Sequence, residues 1–375
     1  MMTGLLIFHP TVAPYRIDFF NALHDTFRTR ICLRYWNLRD QTFDYDKLYA
    51  RFHFHPFYLK EVLRMGGRSF SVGYWKHLDD FRPDVVLTEE FSLGTLIVLL
   101  HRFFKRRHYR VVSLCDDSYP MVAEGSEFSR WHRWARKLLA PKVDDIVVVE
   151  PRVEAWYQMH YGKGFCFPVI QDGKSLRRRY VEVLDRSREL RHKHHMAEKN
   201  VFLFVGRLVA LKNVKTILYA FARMNQRENV LVIVGEGPEK DDLMRLADGL
   251  QLNVLFTGRL EGDALFAWYV LADVFVLASV QEAFGAVTNE ALLAGCKVLV
   301  SRKAGSSCLV QEGVNGFTFE PTDVEALARL MQIVSAKKEN REGENKNREG
   351  DFLKPNRMTV SFRECMDRLV NFLSH

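Results

Sequence analysis

The sequence predicts an α/β protein of two Rossmann-like halves facing a central cleft. Three observations predict it. Short apolar runs alternate with amphipathic stretches through the first 170 residues, the same alternation restarts at Val201, and 375 residues exceed what one hydrophobic core ordinarily serves. In the first half, strands are expected at Leu5–Phe8, Ile31–Tyr35, Val85–Leu87, Val111–Leu114 and Ile146–Val149, with amphipathic helices such as Arg16–Thr26 and Glu127–Leu139 between them. In the second half the expected strands are Val201–Val205, Leu231–Val234, Val254–Phe256, Val274–Leu277 and Lys297–Val300. Ligands of such sheets bind outside the carboxyl ends of the strands.

The domain reading follows from the punctuation. Residues 1–170 form the first half and 171–198 a connector rich in Arg and His, with a helical, charged stretch. Residues 199–335 form the second half and 336–352 a low-complexity loop in which Asn-Arg-Glu-Gly occurs at 340–343 and 347–350. Residues 353–375 form a C-terminal helix with apolar positions from 362 to 373, which must pack on something.

Composition excludes several classes. Hydrophobic residues at 47% rule out global disorder. The opening Leu5-Leu6-Ile7-Phe8 has no basic flank and is too short for a secretory leader. The apolar stretch 91–100 is about half of the ~20 residues a bilayer requires, and 264–280 carries Asp273 in its middle. The chain is therefore expected to be cytoplasmic. Six scattered cysteines without a CxxC read as reduced thiols, and no metal site is expected.

Net charge is +8, and it is uneven. Residues 1–170 carry 24 Lys and Arg against 19 Asp and Glu, and residues 201–375 carry 21 against 22. The excess gathers in 102–107, 130–137 and 177–179, with Phe and Trp interleaved in the first two. Such a surface suits an anionic membrane at its inner face or a pyrophosphate-bearing substrate. A solvated basic face is the plain alternative, and no nucleic-acid module accompanies the charge.

The chemistry concentrates in the second half, where four strand-end loops follow in order. In Val205-Gly206-Arg207-Leu208…Lys212-Asn213, glycine admits a ligand close to the backbone and two cations suit a pyrophosphate. Val234-Gly235-Glu236-Gly237-Pro238 is a tight strand-to-helix turn, whether or not it also meets phosphate. Thr257-Gly258-Arg259-Leu260 is a further glycine turn, placed to border a nucleobase. In Ser279-Val280-Gln281-Glu282-Ala283-Phe284-Gly285-Ala286…Glu290, two carboxylates suit sugar hydroxyls and a ribose diol. The N–H groups of Phe284, Gly285 and Ala286 would face diphosphate charge.

These motifs, with Gly295-Cys296-Lys297-Val298 and Glu312-Gly313-Val314-Asn315-Gly316, resemble glycosyltransferase family 4 in order over about 199–331. Glu282 and Glu290 meet that family's Glu-x7-Glu motif, with Ala283 where proline is common. The resemblance implies the GT-B fold and a metal-independent, retaining transfer from a UDP- or GDP-linked sugar, with no cofactor. It implies that Arg207 and Lys212 hold the diphosphate, Glu282 orients the donor sugar and Glu290 holds the ribose. The acceptor would be a glycan or a lipid-linked molecule of polysaccharide biosynthesis, since Pro14-Tyr15-Arg16 is similar to a loop of polysaccharide-building members. An epimerase-type enzyme of the same fold and a catalytically silent binding subunit are the rivals.

The first half is less specific. Arg16 is either a phosphate contact or a surface helix residue. Asp116 and Asp117, after Val111–Leu114, are either contacts to the reacting sugars or caps of a following helix. His9 is a third candidate on the acceptor side.

Overall fold

The computed structural model describes residues 2–36, 44–65, 68–123, 125, 130–339 and 353–375. The chain divides into two compact units, residues 1–171 with 362–375, and residues 172–361.

The first unit is built on a parallel sheet of seven strands in the order β3-β2-β1-β6-β7-β8-β9. The strands are β1 (Gly4–His9), β2 (Arg28–Leu33), β3 (Phe57–Tyr58), β6 (Val85–Glu89), β7 (Arg110–Cys115), β8 (Asp145–Val148) and β9 (Phe165–Cys166). Between β3 and β6 lies an antiparallel hairpin of β4 (Lys60–Met65) and β5 (Arg68–Val72). Leu5, Leu6 and Ile7 are all fully buried, as expected of a strand covered on both faces, which is why these strands read as unbroken apolar runs. Strand order reverses between β1 and β6, so the ends of those strands and their neighbours form the natural ligand position of this sheet. On one face, helices Tyr74–Phe81, Leu93–Phe104, Arg130–Leu139 and Pro151–Tyr161 share a single apolar core.

The second unit carries a parallel sheet of six strands in the order β12-β11-β10-β13-β14-β15. They are β10 (Asn200–Val205), β11 (Asn229–Val234), β12 (Val254–Gly258), β13 (Val274–Leu277), β14 (Lys297–Ser301) and β15 (Gly316–Phe319). Here the order reverses between β10 and β13.

Three parts of the domain reading are drawn differently by the structure. The helical stretch expected in the connector is two helices, Gly173–Glu182 and Leu184–Lys193, which belong to the second unit and pack on helix Gly262–Leu271. Tyr180 meets Phe266 edge-on at 5.3 Å, and the Arg179 guanidinium lies 4.4 Å over the same ring. The sparse apolar residues of a basic helix suffice because its arginines cover aromatic faces. Helix Val324–Glu339 runs into the expected low-complexity loop, whose repeats lie outside the described residues. The C-terminal helix begins only at Phe362, and Lys354 to Arg357 instead strap the second unit, where Arg357 Nε donates to Gly295 O at 2.9 Å.

Helix Phe362–Ser374 belongs to the first unit. Its buried face of Cys365, Met366, Leu369 and Leu373 fits the spacing seen in the sequence. Phe372 stacks on Phe165 at 4.4 Å, and Arg110 Nη1 donates to Phe372 O at 3.1 Å.

Candidate functional site

The loops after β10 and β13 meet at the point where strand order reverses. Gly206 follows β10, and its N–H donates to Val234 O at 3.0 Å. Arg207 is exposed and has no ion-pair partner among the described residues. Lys212 closes a 3-10 turn, Ala210–Lys212, one step before helix Val214–Phe221. Its ammonium is ion-paired with the Glu282 carboxylate, and both side chains are largely shielded from solvent. Ser279 Oγ also donates to that carboxylate at 3.3 Å.

Asn213 pins the arrangement. It takes a left-handed conformation, φ 53°, and its amide donates to Pro321 O at 2.7 Å and Ala278 O at 3.3 Å. The Val280 N–H donates to Leu211 O at 2.9 Å. The two loops are thus stitched by backbone and amide bonds, and Lys212 meets Glu282 because of that stitching.

The glycines permit close approach of main chains. A Cβ on Gly235, where φ is +153°, would lie 1.8 Å from Gly206 O. A Cβ on Gly237 would lie 2.3 Å from Leu208 O. The turn after β11 is therefore held against the loop after β10 by geometry only glycine allows. Gly258, at φ +77°, accepts at its carbonyl from the Gly235 N–H at 2.9 Å. Arg259 is paired with Glu261, and Leu260 is half-buried.

After Glu282, Phe284 is buried and its carbonyl accepts from the Ser306 N–H at 2.7 Å. Gly285, at φ +91°, turns the chain towards Ala286 and helix Val287–Leu293. Glu290 lies in the first turn of that helix. It is half-buried beside two fully buried tyrosines. The Tyr180 hydroxyl donates to Glu290 O at 2.9 Å. Burial first and the Glu290 carboxylate next hold the Tyr269 phenol well above its ordinary range. One cation–carboxylate pair, one free guanidinium and a second carboxylate thus lie on neighbouring strand ends, a set suited to an anionic ligand bearing hydroxyl groups.

The first unit assembles its own cluster where its strand order reverses. Arg16, in the turn Pro14–Arg16, is buried and ion-paired with Asp116 after β7. It is no surface residue, and two candidates a hundred positions apart are one unit. Asp117 is buried and accepts from the Tyr157 hydroxyl at 2.5 Å, and no helix N–H among the described residues donates to it. Burial, against the Tyr157 bond, raises its pKa to about 6. His9 ends β1 and its Nδ1 donates to Thr11 O at 2.7 Å; burial and then Arg16 lower its pKa to about 4, leaving it neutral.

Sequence reasoning missed Glu89 and Glu90, at the carboxyl end of β6. Glu89 is ion-paired with Arg34, yet burial raises its pKa to about 7. Glu90 takes φ 42°, and its carbonyl accepts from Ser113 Oγ at 2.7 Å and Thr95 Oγ1 at 2.8 Å. Burial and then Asp117 and Asp116 raise its pKa to about 8. The available signal was two successive glutamates directly after the apolar run at 85–87, at a strand end.

Residues 185–349 match the family described as glycosyl transferases group 1. Over 148 residues the chain is 33% identical to the sulfoquinovosyl transferase SQD2 of Arabidopsis thaliana, covering 39% of this chain and 28% of that protein. Over 142 residues it is 32% identical to the lipopolysaccharide core biosynthesis glycosyltransferase LpsE of Rhizobium meliloti, covering 37% of this chain and 41% of that one. The matches thus span less than half of these curated relatives. The crystal structure of Anabaena HepE in complex with UDP superposes with a TM-score of 0.73 at 18% identity, over 99% of this chain and 100% of that one. The whole-chain likeness gives the fold, and the matched segment contains every loop that builds the second unit's candidate site. The chain thus has the fold of two Rossmann-like units seen in that structure, and its residues 185–349 are similar to the group 1 glycosyl transferases.

Proposed function

We propose that this chain is a retaining hexosyltransferase that moves a sugar from a UDP- or GDP-linked donor to a glycan or lipid-linked acceptor in cell-surface polysaccharide biosynthesis. The observation that carries this reading is the convergence of Arg207, Lys212 and Glu282 on the ends of β10 and β13. In the donor-free chain Lys212 and Glu282 neutralise each other. A bound nucleotide sugar gives each a better partner, phosphate for the ammonium and sugar hydroxyls for the carboxylate. Arg207 then joins Lys212 on the pyrophosphate, and Glu290 takes the ribose. The bond between the anomeric carbon and the β-phosphate oxygen breaks, the acceptor oxygen bonds to the same face of that carbon, and the acceptor proton passes to the departing phosphate. The two cations stabilise the charge that develops there, so the reading calls for no metal.

His9, Arg16, Asp116 and Asp117 are assigned to the acceptor side, with Asp116 nearest the chemistry. The printed role of the Rhizobium relative, lipopolysaccharide core biosynthesis, supports an acceptor of that general kind. Such an acceptor would be met in the cytoplasm, at the inner face of a membrane. Among the described residues, no helix is long and apolar enough to cross one.

The test is product analysis after incubation with a panel of UDP- and GDP-sugars and a lipid-linked glycan acceptor, with nucleoside diphosphates screened by thermal shift. Transfer with retained anomeric configuration is expected. Epimerised donor without acceptor consumption would replace the reading with the epimerase type. Nucleotide binding without turnover of any donor would replace it with a silent binding subunit.

A further inference from the structure

Helix Arg130–Leu139 packs on the core through Ala135 and Leu139 but leaves its largest apolar residues outside. Its inward face buries Arg136, whose guanidinium lies 4.9 Å over the Trp156 ring, while Trp131 and Trp134 are 68% and 58% exposed. Those two rings meet edge-on at 6.2 Å, and Leu138 continues their stripe one turn on. Arg133 and Lys137 run alongside on the same outward surface, and neither has an ion-pair partner among the described residues. The neighbouring helix Leu93–Phe104 repeats the pattern. Its outward Leu100 leads to Phe103 and Phe104, 75% and 65% exposed and 5.3 Å apart, and then to exposed Lys105, Arg106 and Arg107. Asp79 offsets part of that charge through long contacts to Lys105 and Arg107.

Both helices stand on the same face of the sheet, because both feed the same apolar core and each connects successive parallel neighbours, β6 to β7 and β7 to β8. Their ends are joined: Arg102 Nη2 donates to Lys142 O at 2.9 Å, and Arg102 is ion-paired with Asp144. Two aromatic pairs with adjoining aliphatic residues and cations therefore stand on one face of the first unit.

We infer that this surface seats the protein on an anionic lipid bilayer, with Trp131, Trp134, Phe103 and Phe104 entering the interface and the cations meeting lipid phosphates. The chemistry selects lipid over other occupants. Nucleic acid would use the rings and cations but leaves Leu100 and Leu138 without a partner. A second copy of this chain, paired symmetrically, would set Arg133 and Lys137 against their own kind. The surface shares no residue with the candidate donor site, which lies in the other unit, so it does not depend on the sugar-transfer reading.

The test uses the full chain in flotation with vesicles of phosphatidylcholine alone and of phosphatidylcholine mixed with phosphatidylglycerol. Wild type is expected to float only with the mixed vesicles and to be released by salt, with tryptophan emission quenched by brominated lipid. The variants W131S/W134S and R133E/K137E are each expected to lose partitioning by about ten-fold or more. Both should keep their melting temperature and their stabilisation by UDP or GDP, since all four positions are exposed. Equal binding to the two vesicle types overturns the proposal, as does wild-type flotation by both variants. A wild type that fails to float but self-associates, or that binds an oligonucleotide through Trp131 and Trp134, also overturns it. If wild type fails to float yet responds to nucleoside diphosphates, the surface falls and the donor reading survives; flotation without any nucleotide response does the reverse.

Discussion

The two units place polar residues at the same topological point, yet build them in opposite ways. In the second unit the strand-end loops are held by main-chain bonds and by glycines that let backbones touch. Arg207 is exposed, and Lys212 and Glu282 satisfy each other. In the first unit the polar groups are held in side-chain pairs between distant strand ends: Arg16 with Asp116, Arg34 with Glu89, and Tyr157 with Asp117. A site scaffolded by backbone leaves its side chains for a ligand, whereas one scaffolded by side chains has its charges coupled and its protonation shifted. The difference can be broken or sharpened by experiment.

The largest effect is expected at Lys212. Lys212→Ala removes a cation from the proposed diphosphate contact and leaves Glu282 unpaired, so kcat/KM should fall by about 10³-fold. Glu282→Gln should cost less in donor binding than in turnover. The double variant should be less impaired than the product of the single losses, because the two side chains are partners in the resting chain. A product of independent losses would mean that Lys212 and Glu282 act separately, and that their resting ion pair has no bearing on turnover.

Next is the backbone scaffold itself. Gly235→Ala places a Cβ 1.8 Å from Gly206 O at a φ of +153°, and relief requires the two loops to part. A loss of about 3 kcal/mol on urea unfolding is expected, with nucleotide stabilisation lost alongside it. Gly313→Ala, also at positive φ but with nothing within 4 Å, should cost only about 1 kcal/mol. Equal costs at the two positions would show that close approach of the loops is not what Gly235 serves.

This contrast also explains what was legible. The second unit's site is a series of local motifs, each strand, glycine and charged residue adjacent in sequence, so Arg207, Lys212, Glu282 and Glu290 could be picked out. The pairing of Arg16 with Asp116 joins residues 100 apart, and nothing in either neighbourhood announces the other. Glu89 and Glu90 were hidden for the same reason: their raised pKa values come from burial by elements distant in the chain. The helical stretch within 171–198 was legible, but not its place in the second unit, because it buries few apolar residues, such as Leu176 and Tyr180, and Arg179 covers Phe266. The C-terminal helix could be seen as amphipathic, but its docking on the first unit is a purely tertiary fact. Leu369→Ala tests that docking. It should cost about 2–4 kcal/mol and should unfold the first unit before the second. Loss confined to the second unit would place the helix elsewhere.

The smallest effect is the one most particular to the first unit. Glu90 has its pKa raised to about 8 by burial and by Asp117 and Asp116, and Glu89 to about 7 by burial. A carboxyl whose folded pKa lies above its unfolded one binds more protons when folded. Its stabilisation is complete below the unfolded value and is lost as pH rises through the folded one. Asp117 acts in the same sense up to about pH 6, while His9, lowered to about 4, acts in the opposite sense up to its ordinary 6.5. Above pH 6.5 the two glutamates are left, so the first unit should lose on the order of 1 kcal/mol between pH 6.5 and 8. Glu90→Gln should flatten that slope and unfold at higher urea than wild type at pH 8, since it removes the charge that the carboxylates of Asp116 and Asp117 oppose. If the variant follows the wild-type curve, the charges around Glu90 are screened as well as those of the other unit, and the two sites differ in their backbone alone.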